Sequence, residues 1–278
     1  MKAILLARFT LREALRKRAV LAAIILGLGF LALFAFGSYF AIRELNASTR
    51  ILPSVRPVIL AIWVLMGLWV VNLMGSLLAI FISAGSIGGE IDSHTLDLIV
   101  SKPVRRAEIV VGKWLGYAPM AILYTVVLSS AVIGIMFFLG DYLPPHPWFG
   151  LPLMALGVVV LVSLSILGST VLPTMANGIA VFMLYAVGVM AGTIQQVGFL
   201  LKDATMEQIG TIVGWVIPSD LVWRMAAYQM QPGMASFAQM GGPFGAVAPP
   251  NPWMTVYAVL YALAALSLAV YLFGQRDL

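Results

Sequence analysis

The chain contains no cysteine and only two histidines, and just 10% of its 278 residues are charged. Without cysteine there is no disulfide, no thiolate metal site and no cysteine nucleophile. The histidines, His94 and His146, fall in charged or proline-rich connections, so no Ser/His/Asp set is suggested. The shortage of charge excludes more. A soluble domain is typically about half apolar and about a quarter charged, whereas this chain is 62% hydrophobic with a mean hydropathy of +1.01. That is the composition of an integral membrane protein. Alternating ten-residue segments, the mark of a β-barrel, are missing. So is a phosphate-binding loop: Gly112-Lys113 imitates its end, but Ala107 stands where the first glycine belongs and Trp114 where Ser or Thr should follow. No catalytic, cofactor or metal residue is assigned.

What is present is a series of long apolar runs. A spanning helix needs roughly 20 predominantly apolar residues, and six stretches qualify: residues 20–42, 58–83, 114–139, 151–171, 179–201 and 253–273. None carries Asp, Glu, Lys, Arg or His away from its ends. The first run is too long for a signal-peptide core and is read as a retained span. The expected fold is all-α, with residues 1–278 forming a single transmembrane domain.

The net charge of +5 records topology rather than nucleic acid. With an even number of spans both termini share one side. That side then holds Lys2, Arg8, Arg12, Arg16, Lys17, Arg18, Lys102, Arg105, Arg106, Lys113 and Arg276, against Arg43, Arg50, Arg56, Lys202 and Arg224 on the other. The positive-inside bias places the termini in the cytoplasm and the chain, multi-pass, in the cell (inner) membrane.

Residues 2–18 are basic and moderately amphipathic. Ile4, Ala7, Leu11, Ala14 and Leu15 share one helical face while Arg8, Arg12, Arg16 and Lys17 lie on another. Such a helix lies along a membrane with its cations toward anionic headgroups; the plainer reading is a basic stop before the first span. The outer connection, 202–252, ends in a Gly- and Pro-rich run. Within it Ser219 or Asp220 is suited to cap a helix over Leu221–Met230, and Ile209–Ile217, too short to span, is suited to re-enter the membrane or lie in its interface.

Between spans 2 and 3 lies an island of charge. Residues 88–113 hold Glu90, Asp92, Asp97, Lys102, Arg105, Arg106, Glu108 and Lys113, eight of the chain's 27 Asp, Glu, Lys and Arg residues. Gly85, Gly88 and Gly89 break the preceding helix, Glu90 and Asp92 suit the positive start of a new one, and Pro103 ends it. Arg105, Arg106 and Lys113 suit headgroups or an acidic partner surface. Glu90, His94 and Asp97 fall at i, i+4 and i+7, so on a helix they share a face that either meets a divalent cation or docks a partner; docking is preferred. The alternative is an ordinary charged loop.

At these residues the sequence resembles the permease subunits of ABC-2-type ATP-binding cassette transporters. Many of those show a Glu, then Gly-Thr, an apolar stretch, a Pro-polar-Arg element and a Gly-Lys opening the third helix. The matching positions are Glu90, Thr95, Leu96, Leu98, Ser101, Pro103, Arg105, Arg106, Glu108, Gly112 and Lys113, with His94 in place of the Gly. The basic N-terminal segment, the six spans and Pro218-Ser219-Asp220 also match. Size and layout look like the branch that includes the copper-processing permease of nitrous oxide reductase maturation. The resemblance implies an elbow helix at 2–18 and a cytoplasmic coupling helix at 88–100. It assigns ATPase coupling to Glu90, Asp92, His94, Thr95, Asp97, Pro103, Arg105, Arg106 and Lys113. It further implies an ABC ATPase subunit that carries the ATP and Mg, a second permease subunit (identical or paralogous), and membrane lipids as partners. The chain itself would not be an enzyme. Two other readings stay open: a six-span scaffold without transport, and a secondary carrier, against which the uncharged spans argue.

Overall fold

The computed structural model describes residues 2–47, 55–89, 105–233, 246 and 251–275. Among these residues there are nine helices and no strands: α1 (Lys2–Arg16), α2 (Arg18–Ala47), α3 (Arg56–Ser83), α4 (Arg106–Gly140), α5 (Pro147–Ser169), α6 (Thr174–Leu201), α7 (Ala204–Val216), α8 (Pro218–Met230) and α9 (Trp253–Gln275). Six of them, α2 to α6 and α9, are long and apolar enough to cross a membrane. The protein is therefore an all-helical, multi-pass membrane protein. Each span satisfies its backbone groups internally, as lipid requires.

The six spans run alternately up and down. Their ends meet in pairs: Gly140 at the end of α4 faces Ile42 near the end of α2, and Gly85 after α3 faces Thr174 at the start of α6. We call the end that carries α1 and the start of α4 the basic end, and the opposite one the far end. α3 and α5 form the centre, with 56% of their most apolar windows buried, while α2 stands at the periphery with 17%. One apolar cluster fills the basic end, around Leu78, Ile82, Ile109, Tyr117, Leu161 and Phe273. A second fills the far end, around Phe34, Leu65, Leu68, Val132, Met136 and Trp223.

α1 is separate from α2 because the chain bends at Lys17, in the run Arg16-Lys17-Arg18. Three successive cations cannot follow the apolar stretch into lipid, so the helix breaks there and α2 begins. α1 packs against α4 where Gly116 lets it in: a Cβ on Gly116 would lie 2.6 Å from the Cβ of Thr10. α4, at 35 residues, is about 52 Å long at 1.5 Å per residue, well beyond the roughly 30 Å hydrocarbon core. Its first turns extend past the apolar stretch at the basic end. Glu108 closes that start, accepting the Arg105 backbone N–H at 3.0 Å.

Residues 204–230 of the expected outer connection are two helices packed among the spans. Asp203 caps α7, its carboxylate accepting from the backbone of Thr205 (2.8 Å) and Met206 (3.3 Å). α7 then runs back along α6: Gly198 abuts Met206 and Glu207, and Gly210 abuts Gln195 and Ala191. The chain turns at Ile217, which rests on Gly188, and α8 returns along α5, passing Gly157 with Ser219 and Val222 and reaching Gly150 with Met230. Gly188 is near the middle of α6, so the tip lies about 20 Å from the far end of that helix. α7 and α8 thus form a re-entrant hairpin. Pro218 opens α8 with no side-chain cap; Ser219 and Asp220, expected as caps, lie in its first turn instead.

Candidate functional site

Of the residues assigned to coupling, Glu90, Asp92, His94, Thr95, Asp97 and Pro103 lie outside the described residues. So does most of the expected coupling helix, of which Gly88 and Gly89 are described and helical. Both flanks of that segment are held to the bundle.

On the leading flank, the turn after α3 is locked to the junction of α5 and α6. Asn177, fully buried, donates through Nδ2 to the Ala84 carbonyl (2.9 Å) and the Ser165 carbonyl (2.8 Å). The Ser86 and Ser169 hydroxyls bond each other at 2.8 Å, and Ser165 Oγ donates to the Ile80 carbonyl at 3.1 Å. Gly88 sits so close that a Cβ there would be 2.9 Å from the Leu172 carbonyl oxygen. These side-chain bonds cross between helices inside an apolar cluster, where an unmet carbonyl costs about 1–3 kcal/mol. The turn cannot shift without moving α5 and α6.

On the trailing flank, Arg106 turns inward. Its Nη1 donates to the carbonyls of Phe273 (3.3 Å) and Gly274 (3.1 Å) at the carboxyl end of α9. This meets helix-end acceptors that have no partner within the helix, and it sets a positive charge at the negative end of the helix dipole. Lys113 is 5% exposed. Two of the three cations read from sequence as partner- or headgroup-facing, Arg106 and Lys113, are thus turned into the fold, while the third, Arg105, is exposed at the start of α4. Nearby, Lys17 Nζ donates to the Tyr117 hydroxyl at 3.1 Å and pairs with Glu13 at 3.4 Å. Burial alone would lower the Lys17 pKa, but the Tyr117 hydroxyl and the Glu13 carboxylate outweigh it and raise it above the ordinary 10.5.

The basic end therefore gathers α1, the turn after α3, the α5–α6 junction, the start of α4 and the end of α9 around the two ends of the charged segment. The two ends of that segment are thus tied to five spans, α3, α4, α5, α6 and α9.

The second polar site is in the far half, and sequence reading missed it. Asp220 and Arg224, one turn apart on α8, form an ion pair at 2.6 Å with side chains 6% and 11% exposed. Beside it, the Tyr185 hydroxyl of α6 faces Ser76 and Asn72 of α3 as well as Asp220. Gly192 makes the space: a Cβ there would collide with both Asp220 Oδ2 and the Arg224 guanidinium. The bundle interior is thus not free of charge, because the hairpin imports a pair that no span contains. Two sequence signals pointed here: the i, i+4 spacing of Asp220 and Arg224 in an apolar context, and Gly188-x-x-x-Gly192. Among the described residues no group of His, Asp and Glu is placed to hold a metal ion.

No match to a curated protein was found. A family model described as ABC-2 family transporter protein matches residues 5–278, both flanks of the charged segment and the re-entrant hairpin included. The chain therefore belongs to the ABC-2 transporter family, as the permease subunit of an ABC transporter that works with an ABC ATPase subunit.

Proposed function

We propose that this chain is the membrane half of an ATP-driven exporter, with the basic end in the cytoplasm of a cell bounded by an inner membrane. ATP and Mg bind to a separate ATPase chain, and the chain itself is not an enzyme. The working unit is two permease subunits, identical or paralogous, with two ATPases. The observation that carries this reading is the family match over residues 5–278. It is supported by the way both ends of the charged segment are anchored to different spans, through Asn177, Gly88 and Arg106.

In this reading α1 is the elbow helix and the segment from Gly88 to Val100 is the coupling helix. Glu90, Asp92, His94, Thr95, Asp97, Pro103 and Arg105 meet the ATPase, while Arg106 and Lys113 act as anchors behind it. Closure of the ATPases pushes the coupling helix. The push passes through the turn after α3 into α5 and α6, and through the start of α4 into the end of α9, and the spans exchange between two arrangements. The finer branch, that of the nitrous oxide reductase copper-processing permease, rests on size and layout alone.

Purification of the tagged full-length chain from its native membrane tests this. The expected result is an ABC ATPase in about equal amount, with ATP hydrolysis by the complex. A chain that purifies without an ATPase, and whose liposomes respond to an ion gradient instead, would establish a carrier.

A further inference from the structure

A cavity of about 280 Å³ opens sideways on the bundle at the basic end, between α2 and α4. Its walls include Val20, Ile24 and Leu28 of α2 and Met120, Leu123 and Val127 of α4, and they carry almost no polar atoms. From Val20 to Leu28 it extends about 12 Å along the helix axis, which is the depth of lipid chains just inside a headgroup layer. The groove exists because α2 touches α4 through a narrow contact: Tyr124 donates to the Ala23 carbonyl at 2.8 Å, and Gly27 faces the same tyrosine. Beside that contact the groove opens between Ile24 and Leu28 of α2 and Leu123 and Val127 of α4.

Directly over the groove, a second cavity on α1 is lined by Phe9, Arg12, Glu13 and Leu15, and Leu15 is also a wall of the apolar groove. Glu13 is paired with Lys17. Arg12, and Arg8 one turn earlier, are exposed and have no ion-pair partner among the described residues. Leu15 is shared by the two spaces, so Arg12, with the Lys17-paired Glu13 beside it, borders the apolar groove, and Arg8 stands one turn further along α1. The break at Lys17 produces this arrangement by laying α1 across the entrance to α2.

We propose that this space is a binding site for one anionic phospholipid in the leaflet at the basic end, its phosphate at Arg8 and Arg12 and one acyl chain in the groove between α2 and α4. A zwitterionic lipid brings its own cation to the mouth and loses the electrostatic gain, which is about 1 kcal/mol per arginine at a membrane surface. A free phosphate lacks the chain that fills the groove. The bound lipid would wedge α1 and the first turns of α2 against α4, so its occupancy would set how firmly the segment before the first span is held. This inference does not depend on ATP coupling and is tested without it.

The test uses the full-length chain reconstituted with spin-labelled phosphatidylglycerol or spin-labelled phosphatidylcholine, reading the immobilised fraction of each. The expected result is selective immobilisation of phosphatidylglycerol, lowered about thirtyfold in relative affinity by the double change Arg8→Ala, Arg12→Ala and unchanged by Arg43→Ala on the far half of α2. Leu123→Trp, which fills the groove and leaves the cations in place, should release the label as well. Soluble glycerol 3-phosphate should fail to compete. Equal immobilisation of the two lipids, an equal loss in Arg43→Ala, or no loss in the Arg8/Arg12 variant with its elution profile intact would each overturn the proposal.

Discussion

At the residue scale, the charges that matter most inside this bundle are Asp220 and Arg224. Both are nearly out of contact with solvent, and the pair is close enough for a charge-assisted bond. Removing one partner of a buried pair typically costs about 3–5 kcal/mol, because the other is left charged and unpaired, whereas replacing both costs much less. Arg224→Ala should therefore lower the unfolding temperature in detergent sharply, and the double change Asp220→Ala, Arg224→Ala should recover part of the loss; additive losses would show that the pair is not coupled. Asn177→Ala should cost about 1–3 kcal/mol by stranding the Ala84 carbonyl, with the same measurement as the check. Lys17 behaves differently. Its raised pKa means that its contribution is fully present below the ordinary lysine value of 10.5 and is lost only as pH rises past it. The α1–α4 contact should accordingly show no titration of Lys17 between pH 6 and 9, about the usable range for such a protein.

At the scale of elements, close approach governs where the non-spanning helices sit. Gly116 admits α1, and the glycines at 188, 198 and 210 admit the hairpin. Gly116→Leu should push α1 off α4 and lower stability by about 1–3 kcal/mol, as overpacking does. Gly134→Leu on the same helix, where a side chain meets open space, should be neutral in thermal unfolding; equal effects would mean that helix propensity, not packing, decides. The elements also show what a sequence can and cannot disclose. The spans were legible because 20 apolar residues have one solution in lipid. The hairpin was legible only as a choice, since the short, mostly apolar stretch Ile209–Ile217 suits re-entry and an interface equally. The glycines that settle it gain meaning only once α6 and α7 are known to be antiparallel. Asp220 and Arg224 at i, i+4 look the same on a solvated face as in a bundle. Arg106 binds carbonyls 167 and 168 residues away, a pairing with no local signature.

At the scale of the molecule, what matters is which way the chain faces and how its ends are joined. The absence of cysteine makes the chain a ready background for labelling single introduced cysteines with a membrane-impermeant maleimide. In intact cells Lys202→Cys should react, Arg12→Cys should react only after permeabilisation, and Ile217→Cys, 2% exposed at the hairpin tip, should resist in both conditions. Reaction of Arg12→Cys in intact cells would invert the topology. In the proposed mechanism, transmission depends on the charged segment being held at both ends. Arg106→Ala should leave insertion intact but loosen the start of α4 from the end of α9, reducing ATP-driven activity more than ATPase binding.

The most direct test of the central claim is the amount of ABC ATPase that co-purifies with the full-length chain when Glu90 or Asp97 is changed to Lys. The account predicts a marked loss of ATPase with the permease still inserted and unchanged in amount. Undiminished ATPase on both variants would contradict it and remove the segment from the coupling interface.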